Sequence, residues 1–117
     1  MIEQIGIGID IADITDFEKI PYKSKPNFYK KLFLPSEIKY CLKFKNPYIH
    51  FTGKFAIKEA VKKSLNKKTT MLKIHTDHIN SKPSVSLLSK KNKFNFLVSL
   101  SHEKSFAVAV VISEPIE

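Results

Sequence analysis

The sequence predicts an α+β domain in which an antiparallel sheet packs around one long helix. Three patterns carry that prediction. Residues 4–11 alternate, with Ile5, Ile7, Ile9 and Ile11 on one side and Gly6, Gly8 and Asp10 on the other, which is the period of a strand. Residues 48–65 place Ile57, Val61 and Leu65 at helical spacing. Residues 94–101 and 106–113 read as strands joined by a tight connection at 102–105, and so as a hairpin.

Taken in order, the first strand carries one acid, Asp10, between two glycines. Glycines on a strand face leave room for a ligand or for another backbone. Residues 13–34 are mixed and basic, helix and loop broken by Pro21 and Pro26. Pro35-Ser36-Glu37 opens a short helix to about residue 45, since proline suits a first turn. Asn46-Pro47 punctuates, and the long helix follows. Its Glu59 points nearly opposite the apolar stripe, near Phe55 and Lys62 or Lys63. Further strands are expected at 72–78 and 85–88. The last strand sets Phe106, Val108, Val110 and Ile112 against a smaller face of Ala107, Ala109 and Val111. That face suits close approach of a helix or of another subunit.

At 117 residues the chain can bury one core, and a single domain over 1–117 is expected. One cysteine, Cys41, permits no internal disulfide and fits a reducing compartment. The opening residues lack the basic start and apolar run of a signal peptide. No apolar stretch approaches the roughly 20 residues that span a bilayer. The expectation is a cytoplasmic protein without membrane partners. Its net charge is +9, which points to an acidic partner. All 20 basic residues are lysine. The absence of arginine argues against sequence-specific nucleic-acid reading, which leans on the guanidinium fork.

The run Gly53-Lys54-Phe55-Ala56-Ile57-Lys58-Glu59-Ala60 is the most informative stretch. It sets a carboxylate beside a lysine mid-helix, with a second lysine one turn earlier. With Asp10 on the neighbouring strand, Glu59 could hold one hard divalent cation and the phosphates bound to it.

These residues carry a family resemblance. The chain resembles the holo-acyl-carrier-protein synthases, small 4′-phosphopantetheinyl transferases. The matching blocks run in order: Gly6 to Ile11; Leu32-Phe33-Leu34-Pro35-Ser36-Glu37 with Tyr40-Cys41; Gly53 to Ala60; and Ser99-Leu100-Ser101-His102 followed by Phe106 to Val111. Lys82-Pro83 is a weaker match. Each block alone is common; their order and spacing are specific.

The resemblance implies a 4′-phosphopantetheinyl transferase fold and a homotrimer with active sites at subunit interfaces. The implied reaction moves 4′-phosphopantetheine from coenzyme A to a serine of apo-acyl carrier protein, with Mg2+, in support of fatty acid biosynthesis. It implies Asp10 and Glu59 as metal ligands, and Glu59 and Lys58 as catalytic residues. Lys54, Lys58, Lys62, Ser101 and His102 become candidates for contacting coenzyme A. Lys54 stands where the family usually has arginine, so the charge is kept and the planar fork is lost. Cys41 matches a common family cysteine and reads as packing; His50, His75 and His78 read as structural.

Carrier proteins are acidic, and in the family they dock near the first helix. Here Asp13, Asp16 and Glu18 occupy its start, and Lys19, Lys23, Lys25, Lys30 and Lys31 are the candidate docking residues. Two segments are shorter than in the family, at Asn66-Lys67-Lys68-Thr69-Thr70 and at 88–93. Two alternatives stand beside the transferase. One is a non-catalytic relative that binds coenzyme A or carrier protein. The other is a basic nucleic-acid-binding module, suggested by the charge and by aromatics among lysines, as in Lys43-Phe44-Lys45 and from Phe51 to Phe55.

Overall fold

In a computed structural model the chain is described over residues 2–65, 67–89 and 93–116. The long helix, α4, organises the rest. It spans Pro47–Ser64 and is buried along most of its length. Asn46 caps it by accepting from the Tyr48 amide at 3.1 Å, and Pro47 takes the first turn, where its missing N–H costs nothing.

Strands β1 (Gly6–Asp13), β4 (Phe94–Glu103) and β5 (Phe106–Pro115) form one antiparallel sheet in the order β1-β5-β4. Strands β2 (Ile74–Ile79) and β3 (Lys82–Leu87) form a second, two-stranded sheet. The single expected sheet is therefore two. The strand expected at 72–78 begins only at Ile74, because Met71–Lys73 closes a 3-10 turn first. Asn80 and Ser81 both take positive φ, 51° and 67°, as a two-residue hairpin turn requires.

The two glycines of β1 show why that strand can carry the site. A Cβ on Gly8 would lie 1.9 Å from the Ala60 carbonyl oxygen, and one on Gly6 would lie 1.7 Å from that of Ser64. The helix backbone rests directly on the glycine face, so Asp10 sits against α4. Ala107, Ala109 and Val111 on β5 continue the same small face and are fully enclosed. Ser113 finishes it by donating to the Ser64 carbonyl at 2.9 Å, which satisfies a helix-end acceptor.

Three short helices cover the other flank: α1 (Ile14–Glu18), α2 (Pro26–Lys30) and α3 (Pro35–Leu42). Helix α3 stops at Leu42, short of the expected residue 45. Their aromatic core gathers Phe17, Tyr29, Phe33 and Phe51 around Ile38 and Cys41. The Tyr29 hydroxyl donates to the carbonyls of Phe17 (3.1 Å) and Ile20 (2.6 Å), tying α2 to the turn after α1. Of the shortened segments, Asn66 and residues 90–92 lie outside the described residues.

Candidate active site

Asp10 and Glu59 line one cavity of about 490 Å³ between β1, α1 and α4, with Asp13, Asp16, Phe17 and Phe55 in its walls. The pairing follows from local structure. Asp10 projects on the glycine side of β1, and Glu59 leaves α4 off its apolar stripe. Asp10 Oδ1 accepts from Lys63 Nζ at 3.1 Å, and the same ammonium donates to the Ile9 carbonyl at 3.0 Å. Asp10 Oδ2 is buried and has no hydrogen-bond partner among the described residues. A buried carboxylate oxygen left unpaired is costly, and it is the kind of atom a cation completes. Glu59 pairs with Lys62 at 3.5 Å, in a half-exposed contact of little energetic weight.

This donor set fits a hard divalent cation of the magnesium type. Such ions take one or two carboxylates and fill their remaining positions with water and phosphate oxygens. Among the described residues no cluster of three His, Cys, Asp or Glu could hold a metal alone. A site built on Asp10 and Glu59 therefore needs oxygen ligands besides such side chains. The sequence offers Lys62 and Lys63 together, as neighbours of Glu59 and as candidate further phosphate contacts. The structure separates the two, giving Asp10 to Lys63 and Glu59 to Lys62. Their i+3 and i+4 offsets from Glu59 were the available signal, but offsets alone could not rank them.

Lys58 is corrected. It was expected at a phosphate, yet it is fully enclosed. Its ammonium donates to Glu37 Oε1 (2.6 Å), the Leu32 carbonyl (3.0 Å) and the Met71 carbonyl (3.0 Å). All three of its donors are taken, so it presents none to a phosphate. Burial pulls the Lys58 pKa down, and the bond to Glu37 pulls the other way. Glu37 also accepts from the amides of Leu34 (2.7 Å) and Thr76 (2.8 Å) and from the Thr76 hydroxyl (2.5 Å). The pair links α3, α4 and β2 beside Glu59.

Lys54 and His102 meet in a second, smaller cavity with Tyr40, His50, Thr76 and His78. Lys54 is itself buried. It donates to the Thr76 hydroxyl at 3.1 Å and carbonyl at 3.3 Å and lies 4.8 Å from the Tyr40 ring centre. Burial lowers its pKa. Gly53 admits the neighbouring strand: a Cβ there would stand 3.1 Å from Leu100 and 3.7 Å from the His102 ring. His50 stacks on Phe44 at 3.7 Å and His78 on Tyr40 at 5.1 Å, and burial lowers the pKa of both.

Ser101 and His102 separate. His102 pairs with Ala107 on the face towards α4, whereas Ser101 pairs with Val108 on the outer face. The expected set of Lys54, Lys58, Lys62, Ser101 and His102 is thus divided among four places in the chain. Lys54 and Glu59 are five residues apart, which on an α-helix is ~140° around the axis.

Lys19, Lys23, Lys25, Lys30 and Lys31 are all exposed on α1, α2 and their connections. Cys41 is buried, and burial holds its thiol up at about 12, so it is an inert packing group. Of the aromatics that suggested nucleic-acid binding, Phe51 is buried, Phe44 stacks on His50 and Phe55 lines the carboxylate cavity. No helix among the described residues is long and apolar enough to cross a membrane.

A domain with a glycine-faced strand, a buried central helix and an Asp–Glu cavity between them matches a known family model. The model for the 4′-phosphopantetheinyl transferase superfamily covers residues 6–111, and the chain belongs to that family. Within it, the chain is similar to holo-[acyl-carrier-protein] synthases. The one from Syntrophus aciditrophicus is 38% identical, over 93% of this chain and 94% of the relative. The Helicobacter pylori holo-[acyl-carrier-protein] synthase, solved in complex with coenzyme A, superposes with a TM-score of 0.78 at 33% identity, covering 92% of this chain and 99% of that one. The Bacillus anthracis enzyme, solved with coenzyme A (3′,5′-ADP), gives a TM-score of 0.79 at 27% identity over 94% and 96%.

Proposed function

We propose that this chain, as a single domain, transfers 4′-phosphopantetheine from coenzyme A to a serine of apo-acyl carrier protein. The reaction depends on Mg2+ and supplies holo-carrier protein for fatty acid biosynthesis in the cytoplasm. Family membership supports the reaction class, and the unpaired, buried Oδ2 of Asp10, a residue that lines the cavity with Glu59, is the observation that carries the metal-dependent mechanism.

Asp10 and Glu59 would hold the cation. When bound, the cation neutralises pyrophosphate charge and so lowers the cost of the transition state. The bond formed joins the carrier serine oxygen to phosphorus; the bond broken is in the pyrophosphate, and adenosine 3′,5′-bisphosphate leaves. Lys63 and Lys62, which pair with Asp10 and Glu59, would set two ammonium groups against the charge that gathers on the leaving group. Either Glu59 or a water it holds takes the serine proton. Phe17 and Phe55 exclude bulk water from one wall and strengthen these interactions.

A homotrimer is the assembly this reading favours. The outer face of the three-stranded sheet is apolar and uncovered. Ile7 (68% exposed), Ile112 and Leu97 (72% exposed) line up across β1, β5 and β4, and Ile9 and Ile11 continue the patch. A contiguous apolar face of this kind marks an interface. Association across it also offers a way to unite the divided site, with the carboxylate cavity of one subunit meeting the Lys54–His102 cavity of the next. The exposed lysines from Lys19 to Lys31 supply the docking face for an acidic carrier protein.

The test is to mix the chain with apo-carrier protein, coenzyme A and Mg2+ and to weigh the carrier protein. A gain of one phosphopantetheine that disappears with a chelator is the expected result. An unchanged mass would leave only coenzyme A or carrier-protein binding.

A further inference from the structure

A mainly apolar cavity lies away from the Asp10–Glu59 site. It occupies about 620 Å³ between α2, α3 and Leu72, with Phe33 and Ile38 among its apolar lining. That volume lies within the ~300–1,000 Å³ of small-molecule sites. Leu42 and Leu72 stand at its sides, 43% and 39% exposed, so apolar surface faces open space there. Lys30, Lys39 and Lys43 also line it, and no aspartate or glutamate does. None of these lysines pairs with a carboxylate in an ion pair found among the described residues. Their apolar stems extend the walls while their ammonium groups stay at the water boundary.

We propose that this cavity binds a small anionic amphiphile: a chain carboxylate whose apolar tail lies on Phe33 and Ile38 and whose head group meets the lysines. Charge complementarity selects the head, because three lysines and no carboxylate line the cavity. The apolar lining selects the tail. A second copy of this chain is disfavoured as the occupant, since its own lysines would meet these ones across a two-fold contact and its net charge is +9. The proposal uses neither Asp10 nor Glu59, and its test leaves in place Lys30, the one lining residue shared with the carrier-protein docking face.

Calorimetric titration of the full chain with decanoate tests it, with decanol and butanoate as partial probes. Decanoate binds saturably at one site per chain, and each partial probe binds at least about tenfold more weakly. Leu42→Glu and the pair Lys39→Glu with Lys43→Glu each weaken decanoate at least about tenfold, whereas Lys68→Glu, outside the cavity, leaves it unchanged. All of these residues are exposed, so circular dichroism should stay that of the wild type. The proposal is overturned if decanoate does not saturate, if decanol binds as tightly, or if the cavity variants bind like Lys68→Glu. It is equally overturned if sedimentation shows that Leu42→Glu splits an oligomer, because a second copy then covers the cavity.

Discussion

Lys58 and Glu59 are adjacent on α4, and the fold treats them in opposite ways. Lys58 turns into the packing between α3 and β2 and is sealed against Glu37. Glu59 turns towards β1 and opens into a cavity with Asp10. One step of an α-helix, ~100°, separates a structural ion pair from a site carboxylate. The lesson is that a functional-looking pair of neighbours on a helix cannot share one site when both flanks are covered. One residue lines the cavity and the other holds the helix that presents it.

The sharpest way to break this comparison is to remove each charge. Lys58→Met leaves the Glu37 carboxylate buried without its counter-charge, and should lower stability by about 3–5 kcal/mol in urea unfolding. Glu59→Gln, which removes only a half-exposed contact to Lys62, should cost less than about 1 kcal/mol. Equal losses would mean that Lys58 and Glu59 are not divided as described.

The comparison also rests on how closely β1 approaches the helix. Gly8→Ala drives a Cβ into the Ala60 carbonyl oxygen, and backbone cannot yield cheaply. A loss of about 1–3 kcal/mol is expected, with weakened metal binding because Asp10 moves with β1. A melting temperature and a metal affinity like those of the wild type would show that the contact is slack.

Exposed lysines provide the contrast to Lys58. Lys23→Glu with Lys30→Glu should change stability by no more than about 0.5 kcal/mol. It should raise KM for carrier protein about tenfold, the scale of two exposed pairs, and leave KM for coenzyme A nearly unchanged. Raising salt should weaken the wild type in the same direction, since exposed charges are screened beyond about 8 Å at physiological strength. If neither salt nor the double variant moves that KM, the carrier protein docks elsewhere.

The smallest effect concerns pH. Burial first, then the nearby charges of His102, Lys54 and His78, holds His50 below its ordinary 6.5. The unfolded chain then binds a proton that folded His50 refuses. Its contribution to stability is complete above about 6.5 and is lost as the pH falls below that value towards the folded pKa. His50→Gln should flatten part of the acid-side decline in melting temperature between about pH 6.5 and 5; an unaltered pH profile would assign that decline to other groups.

Much of this architecture was legible because it is local. The alternation of β1, the stripe of Ile57, Val61 and Leu65 and the final hairpin are short-range patterns, and each became the expected element. That Asp10 and Glu59 come to one cavity agrees with the glycine neighbours of the first, the angle of the second to the stripe and the family resemblance that paired them. What the sequence hid depends on distant partners. Glu37 and Lys58 are 21 residues apart, and nothing in either neighbourhood says that they meet. The outer isoleucines of β1 look like core residues by pattern, yet they are the exposed side, because the glycines give the helix the other face. The choice of Lys63 over Lys62 for Asp10 depends on where β1 crosses α4, which only the packed structure fixes.

The central claim is that Asp10 and Glu59 together hold one divalent cation. Electron paramagnetic resonance of Mn2+, titrated into the wild-type chain with coenzyme A present, measures it directly. One bound ion per chain is predicted, with affinity falling at least about tenfold in Asp10→Asn and in Glu59→Gln while both variants keep the wild-type fold. Unchanged Mn2+ affinity in both variants would contradict the account.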